Sequence, residues 1–271
     1  MRVIDWTARG LLVAGIMGSA YPAFAAELVA HRAVYELELS RSQSSADLAG
    51  LRGRMVLEWA GSSCEGYTLT QRLVTEISDS DGGRMVRDLR MSSWESGDGD
   101  EFVFEMKRYV NNVLDETISG SVERSDGTAI VHYTSPADGE LALPSSVVFP
   151  SEFVRDVIDA AESGKTLVTA EVFEGAETDK YFQVSVFTGR SSVAETDLAK
   201  LSGDGKLLAG EASWPVQVSY FLPNDLQGVP DYQVSYRLFS NGVSSNMKLD
   251  YGDVVIDGRL TELTYLSSDP C

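Results

Sequence analysis

The chain has 271 residues, and its 41 acidic side chains outnumber its 22 basic ones, which gives a formal net charge of −19. An acidic balance this strong argues against nucleic acid and anionic membrane surfaces as partners, because both repel negative charge. The length lies within the range that single all-β domains reach. The charges are spread along the chain rather than gathered in a tail, which predicts a soluble, self-repelling surface.

The N-terminus has the pattern of a secretory signal peptide. Arg2 and Arg9 precede a short apolar run, Leu11–Ala20, and Ala23–Ala25 form a small-residue cleavage site. A membrane anchor is the alternative, but the run is too short to cross a hydrocarbon core of about 30 Å. We therefore predict a signal peptide over residues 1–25 and a single domain over residues 26–271. That domain would be exported, to the periplasm in a Gram-negative source, with no membrane-spanning segment.

The first predicted strand, Leu28–Leu39, has an irregular apolar pattern. Apolar residues change parity near Val34 and Tyr35, which indicates a β-bulge or a strand that is covered on both faces. Most later segments alternate with period two, as in Glu101–Val110, where apolar residues alternate with charged ones. This alternation is typical of half-buried strands.

Turn dipeptides separate the alternating runs. They are Asp-Gly at 81–82, 98–99, 126–127, 138–139, 204–205 and 257–258, and Asn-Gly at 241–242. These dipeptides favour the positive φ angles of tight hairpins, so they predict an antiparallel meander. We expect an all-β fold of about 12–15 strands with one main helix, because open sheets above about 10 strands curl or split. A barrel, a spiral and a sandwich all satisfy this pattern.

The segment Leu143–Gly164 carries apolar residues at helical spacing. Ser151 is the predicted N-cap, Glu152 places a negative charge in the first turn, and Gly164 is the predicted C-terminal stop. The apolar face comprises Phe153, Val154, Val157, Ile158 and Ala161. This helix has two interpretations: a plug that fills one end of a barrel, or a lid over an apolar cavity.

Aromatic residues occur in many of the predicted strands. They are Trp59, Trp94, Phe102, Phe104, Tyr220, Phe221, Tyr232, Tyr236 and Phe239. They could form an ordinary core, but a barrel of this size is difficult to fill with side chains alone. We therefore predict ligand contacts inside the barrel or beneath the helix. The candidates are Trp59, Trp94, Phe102, Phe104, Phe153, Val157 and Ile158.

Recognisable catalytic and metal-binding motifs are absent from the sequence. His31 and His132 are the only histidines, and a zinc site would need carboxylate ligands beside them. There is no G-x-S-x-G nucleophile motif. The segment Asp79–Gly83 departs from the EF-hand pattern, because Gly83 and Arg90 stand where ligands are required. We expect no metal, no cofactor and no enzymatic activity.

The two cysteines, Cys64 and Cys271, form an even pair in a chain that we expect to be exported. Such a pair indicates a disulfide that would tie the early sheet to the last residue. A free thiol and an intermolecular bridge are the alternatives.

Several segments together resemble the EipB-like family of periplasmic cell-envelope integrity proteins. They are HRAVYELEL (His31–Leu39), GRMVLEW (Gly53–Trp59), CEGY (Cys64–Tyr67), SSWESGDGDEFVFEM (Ser92–Met106) and LPSSVVFPSEF (Leu143–Phe153), with a late Cys. The resemblance extends over nearly all of residues 26–271 and lies in the order and spacing of these segments. One departure is that no His follows Pro150, which bears only on contacts at the helix entry.

The resemblance implies a spiral-like open β-barrel with an apolar cavity, one main helix and a disulfide that maps onto Cys64 and Cys271. It also implies a role in the cell envelope without established enzymatic activity. We therefore expect the interior to bind a lipid, an acyl chain or a hydrophobic protein segment. The alternative is a structural interaction protein with a filled barrel that docks another envelope protein through its outer surface. No oligomeric state is predicted.

Overall fold

The structure is a computed structural model that describes residues 27–43, 47–193, 198, 201–223 and 228–267. The predicted signal peptide and Cys271 lie outside the described residues, so the signal peptide and the disulfide stay predictions. Cys64 lies in the turn between the second and third strands.

The first half of the domain is an antiparallel meander in which each strand pairs with the next. Its strands are β1 (His31–Ser42), β2 (Leu48–Ser62), β3 (Gly66–Asp79), β4 (Arg84–Glu95), β5 (Glu101–Val110), β6 (Val113–Ser125), β7 (Thr128–Ser135) and β8 (Gly139–Leu143).

The second half begins with a short strand and the helix. Its elements are β9 (Val147–Val148), α1 (Pro150–Glu162), β10 (Leu167–Val172), β11 (Phe182–Thr188), β12 (Ser192–Val193), β13 (Ser202–Gly203), a 3-10 helix (Asp204–Leu208), β14 (Ala212–Phe221), β15 (Tyr232–Phe239), β16 (Ser244–Asp250) and β17 (Val254–Tyr265). Strand β17 returns to pair with β1, which joins the two halves into one sheet.

Fifteen strands form a continuous ladder that runs from β9 through β10, β11, β14, β15, β16, β17 and β1 to β8. The pairing of β9 with β10 is parallel, and the other pairings in this ladder are antiparallel. Strands β12 and β13 add two-residue pairings to β14 and β17. The fold confirms the predicted all-β class, with a large antiparallel sheet and one α-helix among the described residues.

The predicted irregularity in the first strand is confirmed as a bulge. The register of β1 against β17 shifts between Val34 and Tyr35. Ala33, Val34 and Tyr35 are all fully buried, because the bulge lets consecutive side chains enter the core on both sides of the strand.

Local sequence predicted most of the tight turns correctly. Gly82, Gly99, Gly127 and Gly242 have positive φ angles in the connections between strands. Asp138-Gly139 lies between β7 and β8, but Gly139 begins β8 without a positive φ. Two other turn predictions were wrong. Asp204-Gly205 starts the 3-10 helix, and Asp257-Gly258 lies within β17.

The position of Gly258 has a steric reason. A Cβ atom on Gly258 would lie 2.9 Å from Leu37 Cδ2 and 3.2 Å from Met247 Cβ. The glycine therefore makes room for side chains of the two neighbouring strands instead of supplying a turn.

The barrel closes through side-chain packing where β8 and β9 approach. No ladder pairing joins these two strands among the described residues. Instead, the inner face of β5 to β8 packs against Val147, Phe149 and Phe173. Phe102 stacks on Phe149 with ring centroids 4.7 Å apart, and Phe104 meets Phe173 edge-on at 5.4 Å. We call this contact the seam. It makes the sheet a spiral that is nearly closed.

Helix α1 covers one end of this spiral. Val157 and Ile158 are fully buried, in a cluster that includes Trp59, Trp214 and Val186. Those three residues lie near the ends of β2, β14 and β11 that face the helix. No helix of the described residues is both long and apolar enough to span a membrane.

Candidate functional site

A cavity of about 870 Å³ opens at the end of the barrel opposite to α1, and we call it the mouth cavity. Its apolar lining comes from alternate residues of four strands and the β16–β17 turn. The apolar residues are Leu48, Leu51, Leu73, Ile77, Met85, Leu89, Tyr251, Val254 and Ile256. The volume lies within the usual range of small-molecule sites, which is about 300–1,000 Å³.

The strand register explains why these residues share a face. Leu73 of β3 lies opposite Met55 of β2 on one side and Leu89 of β4 on the other. The outer face of the same strands is polar: Arg72 and Arg90 both donate to the carboxylate of Asp88. The two faces therefore have the alternation that period-two strands produce.

The apolar residues of this inner wall are only partly buried. Leu51, Leu73, Ile77 and Leu89 retain accessible surface although they point into the barrel. In a filled barrel these side chains would be buried by packing. The partial exposure indicates that the interior is open along β2, β3 and β4.

A second, smaller cavity of about 150 Å³ lies farther from the mouth along the same wall, and we call it the inner cavity. Its lining includes Leu69, Gln71, Met91, Ser93, Phe104 and Glu174. Gln71 pairs with Met91, and the next inward-facing pair towards the mouth is Leu73 with Leu89. The two cavities therefore follow each other along β3 and β4.

The inner face of β2, β3 and β4 forms an apolar wall. Tyrosines from β14, β15 and the β16–β17 turn form the wall on the opposite side of the barrel interior. Tyr220 and Tyr232 are stacked with ring centroids 4.3 Å apart, and Phe182 meets both rings edge-on at 5.6 Å. Tyr232 also contacts Tyr251 at 5.8 Å, which continues the wall to the mouth cavity. We call these residues, together with Tyr236, the tyrosine wall.

Glu174 brings a carboxyl group to the tyrosine wall. The hydroxyl group of Tyr220 interacts with this carboxyl group and opposes the rise of its pKa. Burial raises the pKa of Glu174 to about 7, and the nearby charge of Glu177 acts in the same direction. Burial, followed by the charge of Glu174, raises the pKa of Tyr220, Tyr232 and Tyr236. The barrel interior therefore has one apolar wall and one wall that can exchange hydrogen bonds.

The closed end of the barrel depends on how α1 begins. The helix starts at Pro150, and its N-cap is Phe149 in an extended conformation with no side-chain cap bond. The predicted N-cap, Ser151, was wrong, because Pro150 occupies the first helical position, where its fixed φ fits and its missing N–H is not needed. Gly164 has a φ of 75° just beyond the helix, as predicted for the C-terminal stop.

A carboxylate from β4 replaces the missing cap. Glu95 accepts hydrogen bonds from the backbone N–H of Ser151 at 2.8 Å and of Glu152 at 3.0 Å. Burial raises the pKa of Glu95, while the hydrogen bonds from Ser151 and Glu152 oppose that shift. Arg124 donates to the Glu152 carboxylate at 3.1 Å and lies 4.6 Å over the ring of Phe149.

The structure places the predicted ligand-contact residues in three locations. Trp59, Phe153, Val157 and Ile158 pack together in the cluster beneath α1. Phe102 and Phe104 belong to the seam, and only Phe104 also lines a cavity. Trp94 lies on the opposite face of β4 from the inward-facing Glu95, where its indole contacts the turn at Gly66. Trp94 therefore does not line the interior.

Sequence reasoning missed two charged residues of the interior. Glu174 lies in the β10–β11 connection, where no periodic pattern assigns a direction to its side chain. Arg87 lines the mouth cavity at an inward-facing position of β4, where alternation predicts an apolar residue. A charged residue at an expected apolar position was the feature of the sequence that could have identified Arg87.

The two histidines lie apart and in different surroundings. His31 is buried and bonds the carbonyl of Val29 at 2.7 Å, and burial lowers its pKa. His132 lies on an exposed face, 3.3 Å from Glu140. Within the described ranges, no three His, Cys, Asp or Glu side chains come together in a group that could hold a metal ion.

Comparisons with known proteins agree with this architecture. The family model described as EipB-like matches residues 22–267. The chain belongs to the EipB-like family. It is 32% identical to the cell envelope integrity protein EipB of Brucella abortus over 252 residues, which are 92% of this chain and 89% of that protein. It thus belongs to a family of cell envelope integrity proteins.

A solved structure that is similar to this chain has the same fold. The crystal structure of a β-barrel-like protein of Brucella abortus, described as a domain of unknown function, superposes with a TM-score of 0.84. The two chains are 32% identical, and the match covers 89% of this chain and 99% of the other.

Proposed function

We propose that this protein is a non-enzymatic periplasmic protein that supports cell-envelope integrity by holding an apolar ligand in its barrel interior. The ligand class is a lipid, an acyl chain or a hydrophobic segment of another protein. The observation that carries the proposal is the partly exposed inner wall of β2, β3 and β4, which opens at the mouth cavity.

The free energy of burying that wall favours such a ligand. Each apolar side chain that a ligand covers contributes about 25 cal/mol per Å² of area removed from water. Leu73, Leu89 and Ile256 lie on three different strands around the mouth cavity, so a single chain could contact them together. Helix α1 closes the other end with Val157 and Ile158, which favours entry through the mouth.

The periplasmic location rests on the predicted signal peptide and on the envelope role named for the Brucella relative. The absence of enzymatic activity rests on the lack of a catalytic motif in the sequence. Replacing His132 by Gln tests the second point, and we expect the resistance of cells to envelope stress to be unchanged.

Native mass spectrometry of protein purified from cells without detergent tests the ligand. We expect a fraction of the protein to carry a small apolar species of discrete mass. The variant Leu73→Trp would place an indole ring across the apolar wall of the mouth cavity and should reduce the fraction of protein that carries that species. Val74→Trp is the matched control, because Val74 is adjacent in β3 but faces outwards. A protein that never carries such a species in any preparation would contradict the proposal.

An alternative function is docking of an envelope protein through the outer surface, and one observation favours it. Leu167 and Phe187 lie opposite each other on β10 and β11, and more than half of each side chain is exposed. A photo-crosslinking residue at position 187 would test this surface in cells. A discrete crosslinked partner, together with an interior that binds no apolar probe, would favour docking over ligand binding.

A further inference from the structure

Among the residues that the structure describes, five charged ones line the mouth cavity, and four of these interact with other groups of the protein. They are Asp47, Asp79, Arg84, Arg87 and Arg108. In such a rim, a charge that the protein itself does not neutralise is the place where a ligand of opposite charge gains most.

The two aspartates are held by donors of the rim. The Asp79 carboxylate accepts hydrogen bonds from the backbone N–H groups of Asp81 at 3.1 Å and Gly83 at 2.6 Å. Asp47 accepts a hydrogen bond from the Ser80 hydroxyl. These bonds occupy some of the acceptor sites of each carboxylate, so each one gains less from binding a cationic ligand.

Two of the three arginines are paired with acids. Arg108 binds Asp115 at 3.0 Å and Glu116 at 2.7 Å, so its charge is already balanced. Arg84 approaches Glu76 at 3.8 Å. Arg87 makes no ion pair or hydrogen bond with any other side chain among the described residues.

The position of Arg87 relates it directly to the apolar wall. Arg87 lies opposite Thr75 of β3 and Val110 of β5, and the next inward-facing residue of β4 is Leu89. Leu89 is followed by Met91, which lines the inner cavity. A cation at the entrance therefore precedes a continuous apolar track that leads into the barrel.

We propose that Arg87 binds the anionic head group of a single-chain amphiphile whose apolar chain lies along Leu73, Leu89 and Met91. This inference rests on the proposed function and adds the charge and the orientation of the ligand. The head group lies at the mouth and the chain points towards the tyrosine wall and α1. A carboxylate and a phosphate monoester both fit, because a guanidinium group binds either through paired N–H donors.

The net negative charge of the protein makes a local positive charge such as Arg87 important for binding an anion. With a net charge of −19, the protein repels anions at long range. An anionic ligand therefore needs a local cation at its site. Glu174, the acid of the inner cavity, lies on the other side of the track from the mouth, so it would face the chain rather than the head group.

Displacement of a neutral fluorescent probe, N-phenylnaphthylamine, tests the proposal on the mature protein. Dodecanoate and dodecanol share a chain and differ in the head group. We expect Arg87→Gln to weaken displacement by dodecanoate about five- to tenfold, as loss of a partly exposed charge-assisted hydrogen bond would do. Displacement by dodecanol should change less than about twofold, because the alcohol carries no charge to lose.

Two further variants separate the role of Arg87 from the general effect of removing one positive charge. Arg54→Gln removes the same charge from the outer face of β2, where Arg54 is exposed, and should leave both affinities unchanged. Arg87→Lys keeps the positive charge but loses the paired N–H donors, so it should weaken the affinity for dodecanoate less than Arg87→Gln does. Urea unfolding of each variant would show whether a loss of binding reflects a loss of folding.

The outcomes separate the two proposals. Equal effects of Arg87→Gln on dodecanoate and dodecanol, or no effect on either, would overturn the role of Arg87 while leaving ligand binding intact. Failure of the wild-type protein to bind the probe and both competitors would overturn the proposed function, and this inference with it.

Discussion

Glu95 and Ser151 are 56 residues apart in the chain, and the carboxylate of the first accepts the backbone N–H of the second at 2.8 Å. This bond joins the inner face of β4 to the first turn of α1. Because Pro150 and Phe149 supply no side-chain cap, Glu95 provides the negative charge that stabilises the positive end of the helix dipole. The helix that closes the barrel is therefore fixed to the sheet at its N-terminus.

Replacing Glu95 by Gln should destabilise the protein by about 1–2 kcal/mol, because one of the two cap hydrogen bonds and the negative charge are lost. Urea unfolding measures the change. Glu123→Gln is the control, since Glu123 is exposed on β6, and it should change stability by less than about 0.5 kcal/mol. Equal stability of Glu95→Gln and wild type would show that the cap contributes nothing to the helix.

Glu174 should make the stability of the protein depend on pH. Its pKa is raised from 4.5 to about 7 in the folded state, so the folded protein binds a proton that the unfolded chain releases at lower pH. The free energy of unfolding should therefore fall as the pH rises from 4.5 to 7 and level off above that. Because Glu174 keeps some accessible surface, we expect a contribution of about 1–3 kcal/mol.

The variant Glu174→Gln should remove that part of the pH dependence and be more stable than wild type above pH 7. Urea unfolding across the same pH range provides the measurement. Glu101→Gln is the control, because Glu101 is exposed at the start of β5. If the free energy of unfolding of Glu174→Gln still depends on pH in this range, and this dependence is lost in another variant, the proton belongs to a different group.

The predicted disulfide gives a test that is independent of the barrel interior. Cys271→Ser, or reduction of the wild-type protein, should lower the melting temperature without loss of the sheet, because a bridge over so long a loop constrains the unfolded chain. Thermal unfolding followed by far-ultraviolet circular dichroism measures both properties. A melting temperature that reduction leaves unchanged would exclude a stabilising bridge.

Local patterns in the sequence predicted the features that depend on neighbouring residues. The apolar face of Phe153, Val157 and Ile158 follows from helical spacing, and the bulge near Val34 follows from a change of parity. The strand number was predictable because turn residues act within a few positions of the chain.

The features that the sequence did not reveal depend on distant partners. The helix cap comes from Glu95 on β4, so local sequence indicated Ser151 instead. Gly258 resembles a turn residue, but its role is to make room for Leu37 and Met247 on adjacent strands. The face on which Trp94 lies was not predictable either, since it follows from how the whole strand is aligned with the barrel interior.

The candidate site was also only partly predictable from the sequence, because it depends on residues that are distant in the chain. Alternation indicated the apolar inner residues of β3 and β4, but not which of them would remain uncovered. That outcome depends on the separation of the apolar wall from the tyrosine wall, which the curvature of all 15 strands determines. Arg87 interrupts the alternation, but the sequence alone does not show that this position lines a cavity.

Titration of the mature protein with N-phenylnaphthylamine tests the central claim, an open apolar interior, most directly. We predict saturable binding with enhanced fluorescence for the wild-type protein, unchanged binding for Val74→Trp, and about tenfold weaker binding for Leu73→Trp, because the indole ring displaces part of the probe's contacts with the apolar wall. Urea unfolding would establish that both variants are folded. Absence of saturable binding to the wild type, or equal binding to folded Leu73→Trp, would contradict an interior that takes its ligand through the mouth.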